Sequence, residues 1–403
     1  MAGECTDSPS RPHHLLIWMT GLSIAAILFF HDFAQLDGVR LSVSKLVVGR
    51  DFLNVWSGGR LLLSGQLPLI YDYQGYMDWQ AALFGPLDGY NYSYPPHSLF
   101  LAAPFALCPY PVALLLWTVA GAGFFLWAAR PYMPASLHPF YAILTPAALV
   151  NIWAGHYGFV IGGLWLLFFS ALGQHPRRSG ILAGLLTVKP HLGLLIALTL
   201  VARRHYRAVV TALCVTAFLI LASGLAFGFE LWPRWIFDVS ALQTQIMTAS
   251  GQRFYHLMMP SAFVALRDLS TAVAFTVQAL VAVIALGLFW QARHAAYRDL
   301  AFIAASTTAI VMPYIFNYDL TVASLGFAIC LYAHWPALRR WEKLSLWLGF
   351  ATPVLVMMNN YLGPIGLLAG LWVQLRHAGL SPAPDEKRLS TCFLTPATGR
   401  AGR

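Results

Sequence analysis

The feature that most constrains this chain is the spacing of its apolar runs. Residues 15–30, 111–130, 139–153, 157–173, 206–227, 271–291, 300–313, 318–334, 344–358 and 361–375 are apolar, separated by short polar links and by three longer segments, 31–110, 174–205 and 228–270. A spanning helix needs roughly 20 mostly apolar residues. Several runs are shorter, so their ends are expected to extend into flanking Trp, Tyr and His. No water-soluble core buries this many runs. They predict an all-α polytopic membrane protein with about 10–13 membrane helices, some re-entrant or broken.

Composition agrees. The chain is 58% hydrophobic and only 10% charged, where soluble domains carry about 25% charged residues. The net charge of +9 does not point to nucleic acid, because Lys and Arg sit in the short links. With the N-terminus in the cytoplasm and strict alternation, seventeen of the 25 basic residues fall on the cytoplasmic side and seven outside, with Lys189 alone within the membrane. That asymmetry satisfies the positive-inside rule. The five cysteines are dispersed and include no CxxC pair, so neither a disulfide framework nor a zinc site is predicted.

The domain reading follows. Residues 1–14 form a cytoplasmic tail, residues 15–376 a single transmembrane domain, and residues 377–403 a disordered cytoplasmic tail rich in Pro, Ser and Thr. The run at 15–30 reads as a retained signal anchor. Two pieces break the simple pattern. Ser98–Cys108 is too short to span and predicts a re-entrant or surface helix. Ser179–Ala202 has basic pairs at both ends and Lys189–Pro190 in its middle, which predicts a hairpin turning there.

In this topology the polar stretches gather on one face. They are the extracytoplasmic loop 31–97, Gly155–Gly158, residues 228–270, Pro313–Asp319 and Asn359–Tyr361. One extracytoplasmic cavity is expected. Asp51 stands before a helix whose apolar residues recur on one side, as in a helix lying on a membrane surface. Its carboxylate either caps that helix or does chemistry. Asp319 either caps the next helix or lines the cavity. Lys189 either snorkels to an interface or meets a phosphate. His156 and His191 are structural or functional on the same terms. The aromatic cluster Tyr71, Tyr73, Tyr76, Trp79, Tyr90, Tyr92 and Tyr94 suits an interfacial belt or stacking on sugar rings. Asp32 and Asp37 read as solvated. No carboxylate pair or His–carboxylate set suggests a metal, and no nucleotide-binding motif is present.

The run Asp51–Gly65 (D-F-x-x-x-W-x-x-G-R-x-L-L-x-G), with Tyr71–Asp72 after it, resembles the first loop of the glycosyltransferase 87 family. Tyr94–Pro96, Pro104–Pro109, Ala183–Leu186 with Lys189–Pro190, and Pro313–Leu320 follow in the family's order. The family contains polyprenol-phosphate-mannose-dependent mannosyltransferases of the GT-C superfamily. The resemblance implies a GT-C-like fold of a dozen or so helices, an extracytoplasmic active site, and a polyprenyl-phosphate sugar as donor. No separate cofactor is implied. It gives Asp51 the role of catalytic base. On that reading Lys189, Arg50 and His191 meet the donor phosphate. Asp319, His156, Tyr157, Tyr94 and Tyr318 meet the sugar or a lipid or glycan acceptor. The expected location is a bacterial inner membrane. The alternative is a transporter or flippase, which predicts paired broken helices in two halves. The sequence has one broken hairpin and no second copy.

Overall fold

The computed structural model describes residues 18, 20–22, 24, 36–41, 45–87, 89–251 and 253–378. The N-terminal tail, most of the first apolar run, Asp32 and the tail after residue 378 lie outside the described residues.

Among the described residues the protein is all-α apart from one hairpin. Its strands β1 (Leu36–Asp37) and β2 (Arg40–Leu41) are antiparallel, with Leu36 opposite Leu41 and Asp37 opposite Arg40. The principal helices are α1 (Phe52–Leu63), α2 (Tyr73–Phe84), α3 (Tyr110–Ala129), α4 (Pro146–Ala154), α5 (Gly158–Ala171), α6 (Pro176–Leu185), α7 (Leu194–Ala202), α8 (Tyr206–Phe227), α9 (Ser240–Thr248), α10 (Thr271–Ala292), α11 (Tyr297–Val311), α12 (Thr321–His334), α13 (Arg340–Met358) and α14 (Leu362–His377). Single helical turns link several of them.

Among the described residues three helical stretches are long and apolar enough to cross a membrane: Tyr110–Tyr132, Tyr206–Phe227 and Thr271–Ala292. The last two face outward. Val210, Leu213, Phe218 and Leu225 of α8 and Val273, Leu280 and Val283 of α10 are exposed, as apolar side chains are when lipid is the solvent. Helices α5, α11 and α12 are instead buried on nearly every side and form the centre of the bundle. Several apolar runs are cut short by their own residues. The run at 139–153 divides at Thr145–Pro146 into a 3-10 turn and α4, with Thr145 Oγ1 accepting from Ala148 N as the N-cap.

Small residues set the helix spacing, because lipid tails are as apolar as a helix surface and give no hydrophobic drive between helices. A methyl group on Gly326 of α12 would lie 2.6 Å from Phe302 Cβ of α11, and one on Gly370 of α14 would lie 2.6 Å from the Phe327 ring. Polar side chains serve the ends. Gln278 of α10 donates to the carbonyls of Ile310 and Val311, the orphan acceptors at the close of α11.

The run 179–202 is broken at Lys189. Helix α6 passes into the turn Leu186–Val188, and the turn Pro190–Gly193 leads into α7. Proline lacks the amide that would continue the helix. Ser98–Cys108 is a chain of single turns, Leu99–Ala102 and Phe105–Leu107, too short to span.

Helix α1 corrects its sequence reading. It does not lie on a membrane surface with one apolar side down. Phe52, Leu53, Val55 and Leu61 are buried, and so are Asn54, Ser57, Gly58 and Gly59 on the other side. The wheel pattern is misleading because the polar-looking side consists of small residues that admit neighbours. A methyl group on Gly59 would meet Ala106 Cβ at 2.6 Å and the Ala102 carbonyl oxygen at 2.9 Å. Most of the aromatic cluster is corrected likewise: Tyr71, Tyr76, Tyr90, Tyr92 and Tyr94 are buried inside the protein and are not an interfacial belt, while Tyr73 is exposed and Trp79 half-buried.

Overpacking of this kind costs about 1–3 kcal/mol. Gly59→Ala is therefore expected to lower the melting temperature of the purified protein. Gly123→Ala in α3, where nothing lies within 4 Å of the added methyl group, is expected to leave it unchanged or raise it.

Candidate active site

Two glycines position Asp51. Gly49 and Gly155 both have a φ of +67°, a conformation costly for residues with a Cβ. A methyl group on Gly155 would lie 2.7 Å from Phe52 Cβ and 3.3 Å from the Gly49 oxygen. The start of α1 and the end of α4 therefore cross in direct contact. Asp51 N donates to the Ala154 carbonyl at 2.8 Å. The Tyr110 hydroxyl donates to the Val48 carbonyl at 2.6 Å from the other side.

The Asp51 side chain does not cap α1: its backbone is already helical, and no helix amide donates to its carboxylate. Oδ2 is buried without a hydrogen-bond partner among the described residues and lies 3.6 Å from Arg50 Nε. Burial pushes the Asp51 carboxyl above the usual carboxylate range. The Arg50 and Lys189 cations pull it down, and the Asp319 charge adds to the rise.

The Arg50 guanidinium is held by ring faces. Its Cζ lies 4.6 Å from the Phe254 ring centroid and 5.5 Å from that of Trp153. This is cation–π support, which orients the group without using its N–H donors. Arg50 Nε and Nη1 are buried and make no hydrogen bond among the described residues.

Across the cavity, Lys189 Nζ donates to Asp319 Oδ1 at 2.5 Å. The other oxygen, Oδ2, accepts from Phe316 N at 3.3 Å. Asp319 thus caps the turn before α12 and neutralises Lys189, and it does not line the cavity. The ammonium carries three donors and gives this one to Asp319. His156 stacks on Tyr318, with ring centroids 3.9 Å apart and an 18° angle between planes. Its Nε2 is 2.7 Å from the Tyr94 hydroxyl.

These groups surround one cavity of about 810 Å³. Arg50, Asp51, Tyr94, His156, Lys189, His191 and Tyr318 line it. Two of the candidate residues do not reach it. Tyr157 packs behind Tyr94, with ring centroids 4.3 Å apart, and against Trp117. Asp319 is 1% exposed and acts through Lys189. Sequence reasoning missed Arg253, Phe254 and Trp235, which also line the cavity. The only signal was their place in the outer segment 228–270, which carries no motif of its own. That segment is tied down where it crosses: Trp235 Nε1 donates to the Ser93 carbonyl and Arg234 Nη1 to that of Pro68.

A half-buried carboxylate that caps nothing, 3.6 Å from Arg50 and in the same cavity as Lys189, makes this cavity the candidate active site. The sequence model of glycosyltransferase family 87 matches residues 92–316, more than half of the chain, and the chain belongs to that family. The match includes Tyr94, His156, Lys189 and His191; Asp51 precedes it and Tyr318 and Asp319 follow it. No curated protein and no solved structure matches the chain.

Removing one partner of a buried ion pair leaves the other charge uncompensated, at about 3–5 kcal/mol. Lys189→Met and Asp319→Asn are each expected to lower thermal stability sharply. The double variant Lys189→Met/Asp319→Leu is expected to recover much of the loss. Thermal unfolding of the three proteins measures the coupling.

Proposed function

We propose that this glycosyltransferase moves a sugar, mannose or another hexose, from a polyprenyl-phosphate donor to a hydroxyl of a lipid or glycan acceptor, on the extracytoplasmic face and with inversion. The observation that supports this most is Asp51: a carboxylate fixed by two crossing glycines, free of any capping duty, with one oxygen unbonded in the cavity.

The acceptor hydroxyl loses its proton to Asp51 as its oxygen attacks the anomeric carbon. The bond from that carbon to the phosphate oxygen breaks on the opposite face, and the polyprenyl phosphate leaves with the electron pair. Phosphate is a good leaving group and needs no protonation, so one carboxylate suffices where glycoside hydrolysis uses two. Burial raises the basicity of Asp51, which suits proton abstraction near neutral pH. The free N–H groups of Arg50 and the two remaining donors of Lys189 suit the charge that develops on the phosphate. His191, whose Nε2 has no partner among the described residues, stands beside Lys189. Tyr94, Tyr318 and His156 offer ring faces and a hydrogen-bonded edge to the sugar. Asp319 positions Lys189.

Asp51→Asn removes the base and retains the shape. Transfer from a radiolabelled polyprenyl-phosphate sugar is expected to fall by about 10²–10⁴-fold. Because Asp51 caps nothing but lies 3.6 Å from the buried Arg50 cation, the melting temperature is expected to fall modestly while the protein still folds. Retained transfer in this variant would refute Asp51 as the base. The wild-type rate is expected to fall on acidification as Asp51 takes up a proton, with an apparent pKa above the ordinary carboxylate range. A rate that stays flat down to pH 4 would contradict that assignment.

A further inference from the structure

A second cavity, of about 1030 Å³, lies where α6 and α8 begin, away from the Asp51 cavity. Arg177, Arg178, Arg207 and His175 line it, and no carboxylate among the described residues does. Glycines bring these cations together. A methyl group on Gly180 would lie 2.5 Å from the Ala208 carbonyl oxygen, and one on Gly184 would lie 2.6 Å from Val215 Cβ. The two helices therefore pack backbone to backbone, and Arg177 and Arg178 are held beside Arg207. Like charges so placed repel unless an anion joins them. The Arg177 and Arg207 guanidiniums have no hydrogen-bond or ion-pair partner among the described residues. Arg203, in the same region, is occupied differently: it donates to the carbonyls of Arg293 and Ala295.

The cavity opens onto the lipid-facing side of α8. Tyr206 and Val210 form part of its wall and are 63% and 60% exposed, and Leu213 continues the apolar face at 64%. Helix α8 is apolar and long enough to cross a membrane, so its first turn lies at headgroup depth. A ligand here meets guanidiniums at one end and an acyl-chain surface at the other.

We propose that this cavity binds the phosphate headgroup of an anionic phospholipid, with its acyl chains along the exposed face of α8. Guanidiniums pair with phosphate oxygens bidentately, and basic pockets between membrane helices bind anionic headgroups. Topology alone accounts for arginines in this link. It does not account for two glycines that draw them into one acid-free cavity.

Native mass spectrometry of the purified protein, titrated with equimolar phosphatidylglycerol and phosphatidylcholine, tests this. The wild type is expected to bind the anionic lipid preferentially. The variant Arg177→Gln/Arg178→Gln/Arg207→Gln is expected to lose the preference, on the order of fivefold per guanidinium removed, and Arg207→Gln alone to lose part of it. The variant Arg130→Gln/Arg339→Gln/Arg340→Gln removes the same charge from exposed positions elsewhere and is expected to keep it. Equal binding of both lipids by the wild type, an undiminished preference in the first variant, or an equal loss in the second would each overturn the proposal. Displacement of the lipid by millimolar inorganic phosphate would also overturn it, since the site would then hold free phosphate. Melting temperatures of all the variants identify any that fail to fold, and Arg207→Gln then carries the test.

Discussion

The ion pair between Lys189 and Asp319 holds the central part of this protein together. A lone ammonium or carboxylate buried this fully is costly. Here each is the answer to the other, and the pair joins the broken hairpin between α6 and α7 to the turn before α12. That contact closes one wall of the cavity. The same turn places Tyr318 under His156 and, through Asn317 N to the Met258 carbonyl, fixes the segment that brings Phe254 to Arg50.

Charge balance follows from this geometry. Lys189 is matched by Asp319 in direct contact. Arg50 and Asp51 lie 3.6 Å apart, without a hydrogen bond. The first pair is built for rigidity and the second is left open. An arginine supported by ring faces and an aspartate supported only through its backbone both keep their polar atoms available. An incoming anion and an incoming hydroxyl proton are what such a pair can accept.

Much of this was legible in the sequence, and the reasons are physical. The all-α membrane fold was legible because apolar runs and basic links leave few alternatives. The break at Lys189–Pro190 was legible because proline cannot continue a helix. Asp51, Lys189 and Asp319 stood out as charges in apolar surroundings. Their partners did not: the pairing of Lys189 with Asp319 spans 130 positions in the chain, and no local pattern encodes it. Helix α1 was misread because a wheel of small and apolar residues looks one-sided until Gly58 and Gly59 are seen to admit Tyr92 and Ala106. Arg253 and Phe254 were invisible because their segment has neither periodicity nor motif. The aromatic cluster was ambiguous because an interfacial belt and a polar-lined core use the same residues.

The proposed mechanism rests on direct transfer of a sugar from a polyprenyl phosphate in the Asp51 cavity. Its most direct test is the anomeric configuration of the product when the purified protein, in lipid, is given a single-anomer polyprenyl-phosphate hexose and a membrane lipid extract. Direct inverting transfer gives a product linked with the opposite configuration, free polyprenyl phosphate in equal amount, and no transfer from nucleotide sugars. A product of unchanged configuration, or efficient transfer from a nucleotide sugar, would contradict it.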